Sequence, residues 1–93
     1  MAVCRSRVQV VNPLGLHARP ATAIVTLVNK HASKVKIIDC ASSNEAAGNS
    51  VISVLSLGAP QHTDLEISVE GHDADEVLHL LLDLFQSGFG ELT

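Results

Sequence analysis

The run from Asp64 to Gly71 alternates without interruption, with Leu65, Ile67 and Val69 on one side and Glu66, Ser68 and Glu70 on the other. Successive strand side chains point to opposite faces, so the run predicts a strand with one face for a core and one for water. Lys34 to Asp39 repeats the pattern, Val35 and Ile37 standing against Lys34 and Lys36. Residues 3 to 11 give it again, with Val8 and Val10 opposed to Arg7 and Gln9. Such one-sided strands do not suit a parallel sheet buried on both faces; they form an antiparallel sheet covered on one face. The cover has to be helical, and the helices have to lie together.

Three stretches supply it. From Ala18 to about residue 31, Ile24, Leu27, Val28 and Ala32 recur at helical spacing. Thr22, Ile24, Val25, Thr26 and Val28 are β-branched and lower helix propensity, so this helix depends on its period and on packing. Residues 40 to 48 are small and polar, with a turn at Ser42-Ser43-Asn44 and a short strand around Glu45 to Ala47. Asn49 or Ser50 then N-caps a short helix bearing Val51, Ile52, Val54, Leu55 and Leu57, which Gly58 and Pro60 stop. Asp73 and Glu76 resemble a capping box with Asp in place of Ser or Thr. Val77, Leu80, Leu81, Leu84 and Phe85 form the apolar stripe of a last helix, and Gly88 ends it. The order is βαββαβα, an α+β chain with a four-stranded antiparallel sheet under three helices.

At 93 residues the chain predicts one domain over residues 1–93, with no room for a large catalytic cleft. The formal net charge of −4 disfavours nucleic acid and anionic membranes, and two Phe with no Trp or Tyr leave no platform for stacked bases. No apolar run approaches the ~20 residues that span a bilayer, and no leading basic-then-apolar signal is present, so the expectation is a soluble, cytoplasmic monomer. Cys4 and Cys40 are too few for a disulfide framework and fit reduced thiols.

The chemistry concentrates in Asn12-Pro-Leu-Gly-Leu-His17-Ala-Arg19-Pro20-Ala21, where the first strand gives way to the first helix. Proline is tolerated in a first helical turn, because its missing N–H would have had no intrahelical partner there. The free amides of Ala18 and Arg19 then point outward at the positive end of the helix dipole, which makes a phosphate site. Arg19 adds a planar fork able to hold phosphate oxygens bidentately. Imidazole is nucleophilic near neutral pH, so His17 is placed to carry a phosphoryl group as a phosphoramidate. Either ring nitrogen satisfies the sequence. Asn12 ends the strand and shapes the loop, and Gly15 and Pro20 serve backbone geometry.

"NPLGLHARPA" resembles the phosphorylation site of the HPr family, histidine phosphocarriers of the bacterial phosphoenolpyruvate-dependent phosphotransferase system. The likeness runs over nearly the whole chain, including "NSVISVLSLG" at 49 to 58 and "LFQSGFGE" at 84 to 91. It implies an open-faced β-sandwich, phosphorylation of His17 at Nδ1 by phosphorylated enzyme I, and delivery to a histidine of an enzyme IIA. It also implies docking through the second helix, at Val51, Ile52 and Leu55. "EAAGNSVI" and "LFQSGFGE" resemble nitrogen-branch members, whereas "LSLG" resembles those of sugar transport. The family likeness makes the chain a protein substrate in a relay more than an autonomous enzyme.

In many such proteins the serine matching Ser50 is phosphorylated by a regulatory kinase; the plainer reading here is an N-cap, because "GNSVIS" departs from the "KSIMG" of the sugar branch. Two rival functions follow: a regulatory docking module acting through the second helix and Ser50, and a small-molecule sensor, for which aromatic pocket residues are lacking. His31, His62, His72 and His79 have no metal-ligand spacing and read as surface residues. Lys30, Lys34 and Lys36 read as a solvated face. With no Gly-rich nucleotide loop and no cofactor implied, phosphate should arrive from another protein rather than from bound ATP.

Overall fold

The computed structural model describes residues 2–91. Strand β1 (Val3–Gln9) leads through the His17 loop into helix α1 (Ala18–Val28). Strands β2 (Lys34–Asp39) and β3 (Glu45–Ala47) follow, then the short helix α2 (Val51–Ser56), strand β4 (Asp64–Glu70) and helix α3 (Ala74–Gln86). The sheet runs in the order β1-β4-β2-β3, every neighbouring pair antiparallel. The expected βαββαβα order is present, and a 3-10 turn over Gly88–Gly90 extends it.

The alternation that predicts β4 is what fixes its place at the centre. Leu65, Ile67 and Val69 are fully buried, and their register sets them against Val8, Ser6 and Cys4 of β1 and against Asp39, Ile37 and Val35 of β2. Onto these rows pack Ile24 and Val28 from α1, Val54 from α2, and Val77, Leu81 and Phe85 from α3, in one continuous core. Each such side chain contributes roughly 1.5–3 kcal/mol by leaving water. The β-branched residues of α1 are repaid here by burial. The other face of the sheet carries exposed Arg5, Arg7, Lys34, Lys36 and Glu45.

Local signals place several boundaries. Ser50 N-caps α2, its Oγ accepting from the Ser53 N–H at 3.2 Å. Gly58 and Gly88 both follow helix ends with positive φ, 59° and 63°, as a left-handed helix stop requires.

Several expectations need correction. The first strand stops at Gln9 rather than at residue 11; Val10 keeps strand-like hydrogen bonds, but to Thr63 and His62 in the turn before β4. Helix α1 ends at Val28, because Lys30 and His31 bond back three residues and tighten the chain toward β2. Ala32 is therefore exposed outside the helix, and on α3 Leu80 also points outward. Asp73 forms no capping box: its carboxylate turns away from α3 to take the Ser33 hydroxyl and the Ala32 N–H. His31 is half-buried rather than superficial, with Nδ1 3.4 Å from Asp73 Oδ2.

Candidate phosphoryl site at the start of helix α1

The loop that presents His17 is pinned at its middle. Gly15 has φ +68°, and a Cβ there would lie 2.4 Å from the Ala59 carbonyl oxygen, so only glycine fits. Next to it the buried Leu16 donates its N–H to that same oxygen at 2.9 Å. His17 follows as the N-cap of α1, in extended conformation, and its side chain makes no cap bond. The N–H groups of Ala18 and Arg19 are thus left without a side-chain cap, Pro20 has none to offer, and no acidic residue sits in the first turn. The electropositive end of α1 thus carries no side-chain cap beside the imidazole.

The ring is held from a direction the sequence reading does not foresee. Glu91 places Oε1 and Oε2 at 2.8 and 3.0 Å from His17 Nε2. An ionised carboxylate only accepts, so Nε2 carries the proton and donates it to Glu91. In the neutral ring this tautomer leaves the lone pair on Nδ1. The Asn12 amide braces the pair: its Nδ2 donates to Glu91 Oε1 at 3.1 Å and to the Gly15 carbonyl at 2.8 Å. Asn12 is fully buried, and its Oδ1 has no hydrogen-bond partner among the described residues. It therefore does more than end a strand. The His17 ring holds the Glu91 carboxyl below the usual carboxylate range, with help from the Asn12 amide.

Glu91 reaches this position through an unusual tail. Gly88, Phe89 and Gly90 have φ of 63°, 55° and 74°, three consecutive residues in the left-handed region. Two of the three are glycine; the third is held because Phe89 packs edge-on against the buried Phe85, centroids 4.9 Å apart. The two glycines flanking an aromatic just past a helix stop are the signal for this turn, although the 74-residue separation of His17 and Glu91 hides the contact itself.

Arg19 is less converged than its position suggests. Its side chain is 81% exposed, and its Nε stands 3.9 Å from Glu91 Oε2. His17 is 31% exposed, open to a reacting group yet fixed on one side. Among the predicted docking residues, Ile52 and Leu55 are exposed, whereas Val51 is half-buried and packs on the core. The site thus joins an imidazole held at Nε2, uncapped amides and a long, exposed cation, a set suited to receiving a tetrahedral anion.

Comparison with known proteins agrees. Residues 4–87 match the family PTS-HPr, described as the PTS HPr component phosphorylation site. The phosphocarrier protein NPr of Proteus mirabilis is 39% identical over 85 residues, covering 91% of this chain and 93% of its own length. The phosphocarrier protein HPr of Chlamydia pneumoniae is 36% identical over 83 residues, covering 89% of this chain and 75% of its own. The crystal structure of HPr from Thermoanaerobacter tengcongensis superposes with a TM-score of 0.88 at 32% identity, covering 95% of this chain and 97% of that one. Fold and family thus coincide over nearly the whole sequence, and the chain belongs to the HPr family of phosphocarrier proteins of the phosphotransferase system.

Proposed function

We propose that His17 Nδ1 accepts a phosphoryl group from phosphorylated enzyme I and passes it to a histidine of an enzyme IIA. The observation that carries this reading is the double contact of Glu91 with Nε2, which favours the neutral tautomer whose lone pair is on Nδ1. Transfer is in line: the Nδ1–P bond forms as the donor's bond to phosphorus breaks, the electron pair leaving with the donor atom. Charge spread over the equatorial oxygens is met by the Ala18 and Arg19 amides and by the Arg19 guanidinium. Glu91 stays on the Nε2 proton throughout and balances the positive charge that the ring gains when Nδ1 is bonded to phosphorus. Delivery reverses the sequence.

Ser50 already uses its hydroxyl oxygen to cap α2, which supports the N-cap reading over a regulatory phosphoserine. The carrier is read as a cytoplasmic monomer meeting its partners one at a time. Among the described residues no helix is long and apolar enough to cross a membrane.

The test is incubation with phosphoenolpyruvate and a bacterial enzyme I while following intact mass. The expected result is one acid-labile phosphoryl group of about 80 Da, absent from His17→Ala. Parallel reactions with sugar-branch and nitrogen-branch enzyme I assign the branch. An acid-stable modification that tracks Ser50 instead would overturn the carrier reading in favour of the docking module.

A further inference from the structure

At the opposite end of α1 from His17, a cavity of about 440 Å³ opens against the start of β2 and the end of β3. It exists because β3 pairs with β2 only from Lys36 to Ile38, which leaves that edge of β2 bare at Lys34. Both walls are fixed. On one side Gly48 lets the end of β3 lie against Val35: a Cβ there would come within 2.7 Å of Val35 Cγ1, and the Gly48 N–H donates to the Val35 carbonyl at 2.9 Å. On the other, Asp73 holds the turn after α1 through the Ala32 N–H and the Ser33 hydroxyl. The floor is apolar, from the buried Val28 and Val35. The polar lining is cationic: Lys34, Lys36, His31 and the amides of Asn29 and Asn49 contribute to it, and no Asp or Glu does. That is a marked local excess on a chain with ten acidic and six cationic side chains.

We propose that this cavity binds a small organic anion, its charged group beside Lys34 and Lys36 and its uncharged body over Val28 and Val35. The orientation follows from the helix: the end of α1 is the negative end of its dipole, so the charge belongs on the β2 side. The neighbouring carboxylates leave room for it. Asp73 is already engaged by His31 and Ser33, and Glu70 stands across from Lys34 in the β2–β4 register. Glu45 reaches Lys36 at 3.8 Å, but both side chains are largely exposed and such a pair is weak. The volume suits a metabolite-sized ligand. An extended peptide is a poorer occupant, because the bare stretch of β2 is too short to pair with another strand. Carboxylate and phosphate both satisfy the two lysines, and the site stands whether or not His17 carries a phosphoryl group.

An NMR titration of the full chain at low salt tests it, following backbone amides with butyrate and propyl phosphate as probes and butyramide and butylamine as controls. The two anions are expected to give saturable shifts at His31 to Lys36 and at Ala47 to Asn49, and the tighter of them names the charged group. The neutral and cationic controls should leave those amides unmoved. Lys36→Ala is expected to weaken anion binding roughly two- to fivefold, and Glu45→Gln, which frees Lys36, to strengthen it about twofold. Ala47→Leu fills the cavity without changing charge and should abolish the saturable shifts, while its spectrum stays folded and uptake on His17 is unchanged. Controls that bind as well as the anions, shifts that never saturate, or an Ala47→Leu variant that binds normally would overturn the site. So would shifts confined to Ala18 and Arg19, which would put the anion at the phosphoryl site instead.

Discussion

His17 caps the start of helix α1, His31 follows three residues past its last, and each imidazole meets a carboxylate from far along the chain. At the first end Glu91 grips Nε2 with both oxygens, at 2.8 and 3.0 Å. At the second, Asp73 lies 3.4 Å from Nδ1 of His31 while also taking the Ser33 hydroxyl and the Ala32 N–H. Glu91 has the histidine as its chief partner. Asp73 has the backbone turn, and the histidine is an addition. Gly71 completes that second knot, since a Cβ there would lie 2.5 Å from Ser33 Oγ. The helix dipole separates the two ends further. A phosphoryl dianion on His17 faces the positive end of α1, whereas one on His31 would face the negative end and the Asp73 carboxylate. A histidine–carboxylate pair is therefore not a functional signature by itself; which nitrogen is left over, and what field it stands in, decide its use.

The sharpest way to break this contrast is to remove each ring. His17→Ala is expected to abolish phosphoryl uptake from phosphoenolpyruvate and enzyme I, while His31→Ala keeps the uptake rate within about twofold, both read by intact mass. Arg19→Lys should slow transfer by about tenfold with an unchanged melting curve, since a lysine retains the charge and loses the bidentate fork. Rapid-quench transfer rates check it, and equal rates for the two proteins would remove Arg19 from the mechanism. Glu91→Gln should slow transfer by a smaller, several-fold factor and release the ring into a mixture of tautomers, visible in the imidazole nitrogen shifts.

The last prediction concerns stability alone. Asp73→Asn is expected to leave transfer unchanged and to lower the melting temperature at neutral pH. Ser33, foremost, and the Ala32 N–H hold the Asp73 carboxyl below its ordinary value. A carboxyl whose pKa is depressed by folding stabilises above the unfolded-state pKa and loses that contribution as pH falls through the folded one. The gap in melting temperature between wild type and Asp73→Asn should therefore close in acid. A gap that persists there would show the contact to be steric rather than ionic.

Much of this was legible in the chain because it is local. Period-two alternation marks β4 and β2, and the spacing of Val77, Leu81 and Phe85 marks α3. Ser50, Gly58 and Gly88 announce the helix ends they form. Gly15, His17 and Pro20 sit where a strand-to-helix junction needs them. What stayed hidden depends on distant partners. Asp73 and Glu76 look like a cap until Ser33, 40 residues away, competes for the carboxylate. His31 looks superficial until Asp73 arrives, and Glu91 looks like an ordinary tail residue until a left-handed turn carries it to His17. Side-chain hydrogen bonds between remote segments have no period, so pattern reading passes over them.

All three helices lie on one side of the sheet, and one nitrogen of the His17 ring, Nε2, is already taken by Glu91. If His17 carries the phosphoryl group as proposed, donor and acceptor must reach the same ring nitrogen and occupy the same ground, and neither can wait in place while the other is engaged. The kinetic consequence is an obligatory departure between every receipt and every delivery, with ping-pong kinetics and inhibition by excess of either partner. Flux through such a shuttle is limited by how quickly the molecule lets go, so a tighter hold on any one partner would slow the whole relay.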